Sequence, residues 1–270
     1  MNLRKADKKK RVIERLFIAL LFGISMLSVA LFAGMVFWVL KSGFPVLSIE
    51  FLISKTSVIE ERIGVKEYLL NTWEILLSTL LLTGVIGIMT AIYLCEYGKD
   101  KKMIQRTQFA IEILAGLPSI VFGLFGMVFF GEVMQFGYSL FTGSLTLTIM
   151  VLPVVINSTK MAIEEVPKSY KMDALSLGAG KWYIIRTILL PEAVSGIAAG
   201  LILAAGKILG ESAALLFTAG SKGSLAVAIY LFLSKGWMEE AYATAVLLLG
   251  IMFGFNLLLQ VCREGKRDRK

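Results

Sequence analysis

Two stretches of the chain combine polar side chains with a spacing that could serve chemistry. The first is Gly206-Lys207-Ile-Leu-Gly210-Glu211, where a lysine and a glutamate interrupt an apolar segment. A charge at the centre of a bilayer costs about 2.5–3.5 kcal/mol on insertion scales, so it needs a partner or a function. Helical spacing places Glu211 one turn beyond Lys207 on the same face. Either Lys207 snorkels outward and pairs with Glu211 for its own sake, or it is a cation on a translocation path that attracts an oxyanion.

The second stretch is a basic, polar interruption between strongly apolar segments. Pro167 can take the first position of a helix, where its missing N–H costs nothing, and Gly178 can end that helix in the left-handed conformation. Gly180 can open a second helix, before Pro191 bends the chain into the next apolar run. That second helix would carry three apolar side chains on one face: Trp182, Ile185 and Leu189. We expect two short helices at a membrane surface, and the spacing also fits an interfacial amphipathic hairpin without a partner.

The residues that enzymes commonly need are missing. The chain has no histidine, the usual general base and metal ligand. The run Gly178-Ala-Gly-Lys181 looks like the end of a phosphate-binding loop. However, that motif needs a glycine where Leu175 stands and a serine or threonine where Trp182 stands. We therefore expect no nucleotide site, no metal site and no catalytic residue on this chain.

Membrane-spanning helices must position these stretches. Of the 270 residues, 57% are hydrophobic and 18% are charged, against about 25% charged in soluble domains. About 20 apolar residues cross the hydrocarbon core, and five uncharged runs are that long: Leu16–Leu40, Ile75–Cys95, Ile113–Gly131, Val133–Thr159 and Ala241–Cys262. A sixth run, Ala193–Gly206, is short and ends at Lys207. We predict an all-α integral membrane protein with six transmembrane helices.

The formal charge of +8 is distributed in a way that indicates how the chain is oriented in the membrane. Basic residues concentrate before the first helix, between the second and third, between the fourth and fifth, and at the C-terminus. The alternate loops hold only Lys41, Lys55, Arg62, Lys66, Lys222 and Lys235. By the positive-inside rule, both termini and the loop around Gly178 are cytoplasmic. The charge therefore does not indicate a nucleic-acid partner.

The third predicted helix contains Ala-Gly-Leu-Pro-Ser-Ile-Val-Phe-Gly-Leu-Phe-Gly at 115–126. Pro118 frees a backbone carbonyl inside the membrane, which is tolerated where a neighbouring helix or a cavity satisfies it. This stretch either packs closely on its neighbours or bends to line a path at Pro118 and Ser119. Several glycines would allow close helix contact: Gly116, Gly123 and Gly126 here, and Gly84 and Gly87 in the second helix.

The second polar stretch resembles a known motif. A glycine, nine residues and then Ile-x-Leu-Pro (Gly178, Ile188, Leu190, Pro191) resemble the EAA loop of ABC-importer permease subunits. In that family the loop is the coupling helix that docks into a groove of a cytoplasmic ATPase. The family's Glu-Ala-Ala falls on Met172, Asp173 and Ala174, so only the alanine matches. The resemblance implies these ATPase-coupling residues: Met172, Asp173, Ala174, Leu175, Leu177, Gly178, Lys181 and Trp182.

Three separated stretches resemble one branch of that family. Gly210-Glu211-Ser-Ala-Ala-Leu-Leu-Phe-Thr-Ala219 is similar to the Gly-Glu-(Thr/Ser)-Ala-Pro-Leu-Leu-Phe-Thr segment of PstA-type permease subunits of phosphate ABC importers. The stretch 115–126 and Val151-Leu-Pro153-Val with Val166-Pro167 are similar to the same branch. The resemblance as a whole runs from about residue 70 to 262. Ala214 replaces the family's proline, and Lys207 stands where arginine is common; a lysine is a point charge and not a bidentate fork.

The resemblance implies a MetI-like ABC type I importer permease fold. We expect a core at 68–262 with a coupling loop at 164–191. Residues 1–67 would form a cytoplasmic tail, the first helix and an outer segment, and 263–270 a basic tail.

It also implies a permease for inorganic phosphate in the cytoplasmic membrane, with a path along Lys207, Glu211, Pro118 and Ser119. The chain itself would bind no cofactor, and ATP and Mg²⁺ would lie on a partner. The implied partners are a PstC-like second permease, a PstB-like ATPase dimer, a PstS-like extracytoplasmic phosphate-binding protein and the lipid bilayer. Two alternatives stay open: the same architecture importing sulfate, molybdate or an amino acid, and a membrane-embedded enzyme or scaffold.

Overall fold

A computed structural model describes residues 2–56, 63–98 and 100–267, without the side chains of 2–13, 221 and 258–267. Within these ranges the secondary structure is entirely helical. The helices are α1 (Asn2–Gly43), α2 (Ile49–Ile53), α3 (Lys66–Ile92), α4 (Lys101–Gly116), α5 (Ser119–Gly126), α6 (Leu140–Glu164), α7 (Lys168–Ser176), α8 (Lys181–Ile184), α9 (Leu190–Leu209), α10 (Ala213–Thr218), α11 (Leu225–Ser234) and α12 (Met238–Arg267). Three π-helical segments adjoin them, Tyr93–Tyr97, Met127–Val133 and Ile185–Leu189.

The multi-pass architecture is confirmed. In the described residues, five unbroken helices are long and apolar enough to cross a membrane: Glu14–Val46, Lys66–Tyr97, Leu140–Glu164, Lys181–Leu209 and Met238–Leu257. The predicted count of six is reached when a sixth, bent pair of helices is taken as one span. We call the end of the bundle that holds α7 the inner end, as the charge distribution predicts.

The bent pair decides between the two alternatives for the third predicted helix, which is not continuous over Ile113–Gly131. The chain turns by 102° between Lys101–Gly116 and Ser119–Val133. Pro118 causes the turn, because a proline restricts the preceding residue to extended backbone and cannot continue the helical hydrogen bonds. Leu117 is accordingly extended, at φ −73° and ψ 138°.

The fourth span begins later than its apolar run. Its helix starts at Leu140 and not at Val133, because Gln135 and Gly137 both take a left-handed φ of 61°. Ser139 then caps α6, its Oγ accepting a hydrogen bond from the Thr142 N–H at 3.2 Å. Such a cap satisfies one of the N–H groups that the first helical turn leaves free.

The fifth span is longer than predicted. Lys181–Leu209 forms one helical span of 29 residues, so Pro191 does not bend the chain away as expected. A proline ring clashes with the carbonyl four residues earlier in a regular α-helix. The π-helical segment Ile185–Leu189, directly before Pro191, widens that turn and removes the clash.

The core lies where α3, α6 and α9 pack together. The predicted thin face of the second span is confirmed, because a Cβ on Gly87 would lie 2.8 Å from Val155 Cγ1. A Cβ on Gly200 of α9 would lie 2.5 Å from Ser158 Cβ on α6. By contrast, α1 lies along α12 and exposes its apolar side chains, as a helix facing lipid must.

Candidate functional site

The inner hairpin is formed by α7 and α8. Pro167 precedes α7 as its N-cap, one residue before its predicted position. Gly178 has the predicted left-handed conformation, with φ +80°. The Ala179 N–H donates to the Ala174 carbonyl at 3.0 Å and the Gly178 N–H to the Leu175 carbonyl at 3.0 Å. This pair of bonds is the Schellman motif, which satisfies the last carbonyls of a helix.

An ionic contact anchors this hairpin to the inner end of the second span. Lys171 Nζ on α7 lies 2.6 Å from Glu96 Oε2, and the Glu96 side chain is only 8% exposed. Lys181 Nζ on α8 donates to the Glu96 carbonyl oxygen at 3.3 Å and sits 5.5 Å from the centroid of the Tyr97 ring. Both arms of the hairpin are therefore held by the π-helical segment that ends the second span.

The free side of the hairpin is apolar. Leu177 at its tip is 88% exposed, and Met172, Leu175 and Trp182 are exposed as well. Asp173 and Lys181 are also exposed, whereas Ala174 is buried. An exposed apolar patch of this kind marks an interaction site. The exposed residues of the hairpin thus form a candidate docking surface, which includes all the coupling residues that the resemblance implied except the buried Ala174.

The prediction that Trp182, Ile185 and Leu189 share one helix face is wrong for Trp182. Ile185 and Leu189 are buried, whereas Trp182 is 59% exposed. The π-helical segment begins at Ile185, and its wider turn shifts the positions that follow relative to a regular α-helix. Trp182 therefore lies among the exposed residues of the hairpin and not on the packed face.

Lys207 lies in the last turn of α9 and is exposed. The predicted pairing with Glu211 is wrong: the described residues contain no ion pair between them. The helix ends at Leu209, so Glu211 lies beyond it, and its Oε1 accepts a hydrogen bond from the Ala214 N–H at 3.0 Å. Glu211 thus caps α10, which leaves the Lys207 ammonium on the open surface of the chain.

Helix α5, which follows the bend at Pro118, packs on α10, which follows Glu211. Pro118 is exposed and Ser119 is half-buried. A Cβ on Gly123 of α5 would lie 2.9 Å from Ala214 Cα on α10. Close packing through Gly123 is thus confirmed, whereas Gly116 borders open space. The stretches that contain the predicted path residues are therefore in contact through α5 and α10, and the path itself stays a prediction.

Sequence reasoning missed Glu96 altogether. It stands at the end of an apolar run with no motif around it, and Lys171 is 75 residues away. The sequence held one signal for it. Glu96 is an acidic residue at the inner end of an apolar run, and a carboxylate that becomes buried there needs a cation as partner.

The chain is similar in sequence to known transport proteins. Residues 83–263 match the family model of the binding-protein-dependent transport system inner membrane component. The chain is 37% identical over 201 residues to the probable ABC transporter permease protein YqgI of Bacillus subtilis, covering 74% of this chain and 68% of the relative. It is 32% identical over 269 residues to the phosphate transport system permease protein PstA of Pasteurella multocida, covering 94% of each.

Solved structures share the fold. One is a chain of the MetNI methionine ABC transporter in an inward-facing conformation, with a TM-score of 0.63 and 20% identity over 72% of this chain and 94% of that one. Another is a chain of a bacterial alginate ABC transporter, with a TM-score of 0.70 and 16% identity over 90% of this chain and 92% of that one. The matched range exceeds half of the chain and contains the hairpin, α9 and α10. The chain therefore belongs to the inner-membrane components of binding-protein-dependent transport systems, with the helical permease fold of ABC importers.

Proposed function

We propose that this chain is a permease subunit of an ABC importer that moves inorganic phosphate into the cell across the cytoplasmic membrane. The relative of similar length from Pasteurella multocida, which is named for phosphate transport, supports the choice of solute. The partners in this proposal are a PstC-like second permease, a PstB-like ATPase dimer and a PstS-like phosphate-binding protein. ATP and Mg²⁺ belong to the ATPase, and this chain holds neither.

The observation that carries the proposal is the link between the hairpin and the fifth span. The exposed apolar tip at Leu177 is joined through α8 to a span that continues unbroken to Leu209. Closure of an ATPase dimer against this tip would displace α8, and a helix of that length transmits the displacement along its axis. The end of the span carries Lys207, so the motion reaches the position where we place the anion.

The role of Lys207 in this scheme is electrostatic. Its ammonium is exposed on α9, and the described residues provide it with no carboxylate partner. An uncompensated cation at membrane depth is costly, and a passing oxyanion lowers that cost. Because a lysine acts as a point charge, it attracts phosphate without the rigid bidentate geometry of an arginine, which suits an anion that must leave again.

The test is uptake of labelled phosphate by the assembled transporter in proteoliposomes. Lys207→Gln should lower the uptake rate roughly ten- to hundredfold, the worth of one hydrogen bond to a charged group. Lys207→Arg should keep most of the rate. Lys41→Gln, at an exposed lysine of α1, is the matched control. Uptake by Lys207→Gln equal to that of the control would remove Lys207 from the path.

A second candidate keeps the architecture and changes the solute. The structural relatives are named for methionine and for alginate, so the fold itself does not select phosphate. Competition of labelled phosphate uptake with sulfate, molybdate and amino acids separates the two candidates. If another solute inhibits the uptake of labelled phosphate more strongly than unlabelled phosphate does, the choice of solute is overturned. The permease function would remain in place.

A further inference from the structure

The outer end of the bundle collects basic side chains that the topology disfavours. Positive charge is depleted from outer loops, and this chain has few such residues there. The fold nevertheless brings four of them to one cleft of about 580 Å³: Lys55, Lys66, Lys222 and Lys235. They come from the segment after α2, the start of α3, the turn after α10 and the end of α11. Segments that are distant in sequence thus form one cluster of positive charge.

The charge in this cleft is largely uncompensated. Glu67 is the one carboxylate among the described residues that line it, and it pairs with Lys55 at 2.8 Å. That contact raises the pKa of the Lys55 ammonium, through the hydrogen bond first and the charge second. The other three lysines are exposed and make no ion pair within the described residues. Within the described part of the chain, the residues that line this cleft therefore carry a net positive charge.

The fold holds this arrangement in place. Asn71 of α3 donates from Nδ2 to the Lys222 carbonyl oxygen at 2.9 Å, which fixes the Gly220–Lys222 turn on the second span. The Lys235 ammonium sits 4.8 Å from the centroid of the Trp237 ring, a cation–π contact. Specific contacts thus fix the backbone of Lys222 and the ammonium of Lys235 at this cleft.

We propose that this lysine cleft binds and concentrates a small multivalent oxyanion at the outer mouth of the permease. The inference rests on the proposed function for its choice of anion, inorganic phosphate. A concave surface of one charge raises the local concentration of a counter-ion by about 10- to 1,000-fold. The cleft is far larger than a phosphate ion, so it can hold the anion only loosely. Loose binding suits a site that supplies anion without retaining it.

The test measures equilibrium binding of labelled inorganic phosphate to the purified transporter in nanodiscs, without ATP. All samples carry Lys207→Gln, so that binding on the proposed path does not contribute. Adding Lys222→Gln and Lys235→Gln should raise the apparent Kd about tenfold, the low end of the enrichment given by a basic cleft. The charge-preserving pair Lys222→Arg and Lys235→Arg should leave the Kd unchanged. Lys41→Gln, an exposed lysine of α1 that does not line the cleft, is the matched control.

The outcomes separate this inference from the proposed function. An unchanged Kd in the double glutamine variant overturns the cleft, whatever the uptake assay shows. The inference is also overturned if the double glutamine variant loses affinity for the binding protein while its phosphate Kd stays unchanged. The lysines would then form a protein-docking surface. If sulfate binds with the same lysine dependence while phosphate is not transported, the cleft stands and the phosphate assignment fails.

Discussion

Glu96→Gln tests whether the inner hairpin is held to the second span by charge. The substitution preserves the size of the side chain and its ability to accept a hydrogen bond, and removes only the negative charge. It therefore acts on the 2.6 Å contact with Lys171 and leaves the backbone carbonyl that receives Lys181 untouched.

The burial of the two partners sets the size of the effect. Breaking a fully buried ion pair costs about 3–5 kcal/mol, whereas an exposed pair is worth about 0–1 kcal/mol. Glu96 is 8% exposed and Lys171 is 35% exposed, so solvent screens one partner only. We expect an intermediate cost of about 1–2 kcal/mol, which corresponds to a 5- to 30-fold increase in opening of the hairpin.

The assay is amide hydrogen exchange of the assembled transporter. The reporters are the amides of Gly178 and Ala179, which the capping bonds protect. Their exchange should accelerate 5- to 30-fold in Glu96→Gln, and phosphate moved per ATP hydrolysed should fall. The control is Glu165→Gln, at an exposed carboxylate next to the hairpin. Equal exchange in the two variants would refute the ionic anchor.

Two further predictions compare glycines in different surroundings. Gly178→Ala should destabilise the hairpin by about 1–2 kcal/mol, because only its φ of +80° opposes a side chain. Gly180→Ala, at φ −71° with open space, should change exchange in the hairpin by less than twofold, and similar effects of both would contradict the left-handed cap. Gly123→Ala should cost about 1–3 kcal/mol in thermal unfolding, since its Cβ meets the Ala214 backbone. Gly116→Ala, with nothing within 4 Å, is its control, and equal melting of the two variants would disprove the tight contact of α5 with α10.

The hairpin is connected to the membrane-spanning helices in two ways. One is covalent, from α8 through the π-helical segment into α9. The other is ionic, from α7 and α8 through Glu96 into the second span. Since α3 and α9 both pack on α6, both connections lead to the same core.

The sequence by itself determined the features that depend on local composition. Runs of uncharged residues set the number of spans, because each must be long enough to cross the hydrocarbon core. Gly178 marked the end of α7, since few other residues take a left-handed φ without strain. Pro118 marked an interruption, although the spacing left open whether the helix packed straight or bent.

Only the tertiary structure decided which distant groups meet. The contact of Glu96 with Lys171 spans 75 residues, and the lysine cleft joins segments from both halves of the chain. Lys207 and Glu211 seemed a helical pair by spacing, yet the helix ended between them. Such outcomes depend on where each helix stops, how a π-helical turn shifts its register, and which faces pack together. These are properties of the assembled bundle, and no local pattern of residue types encodes them.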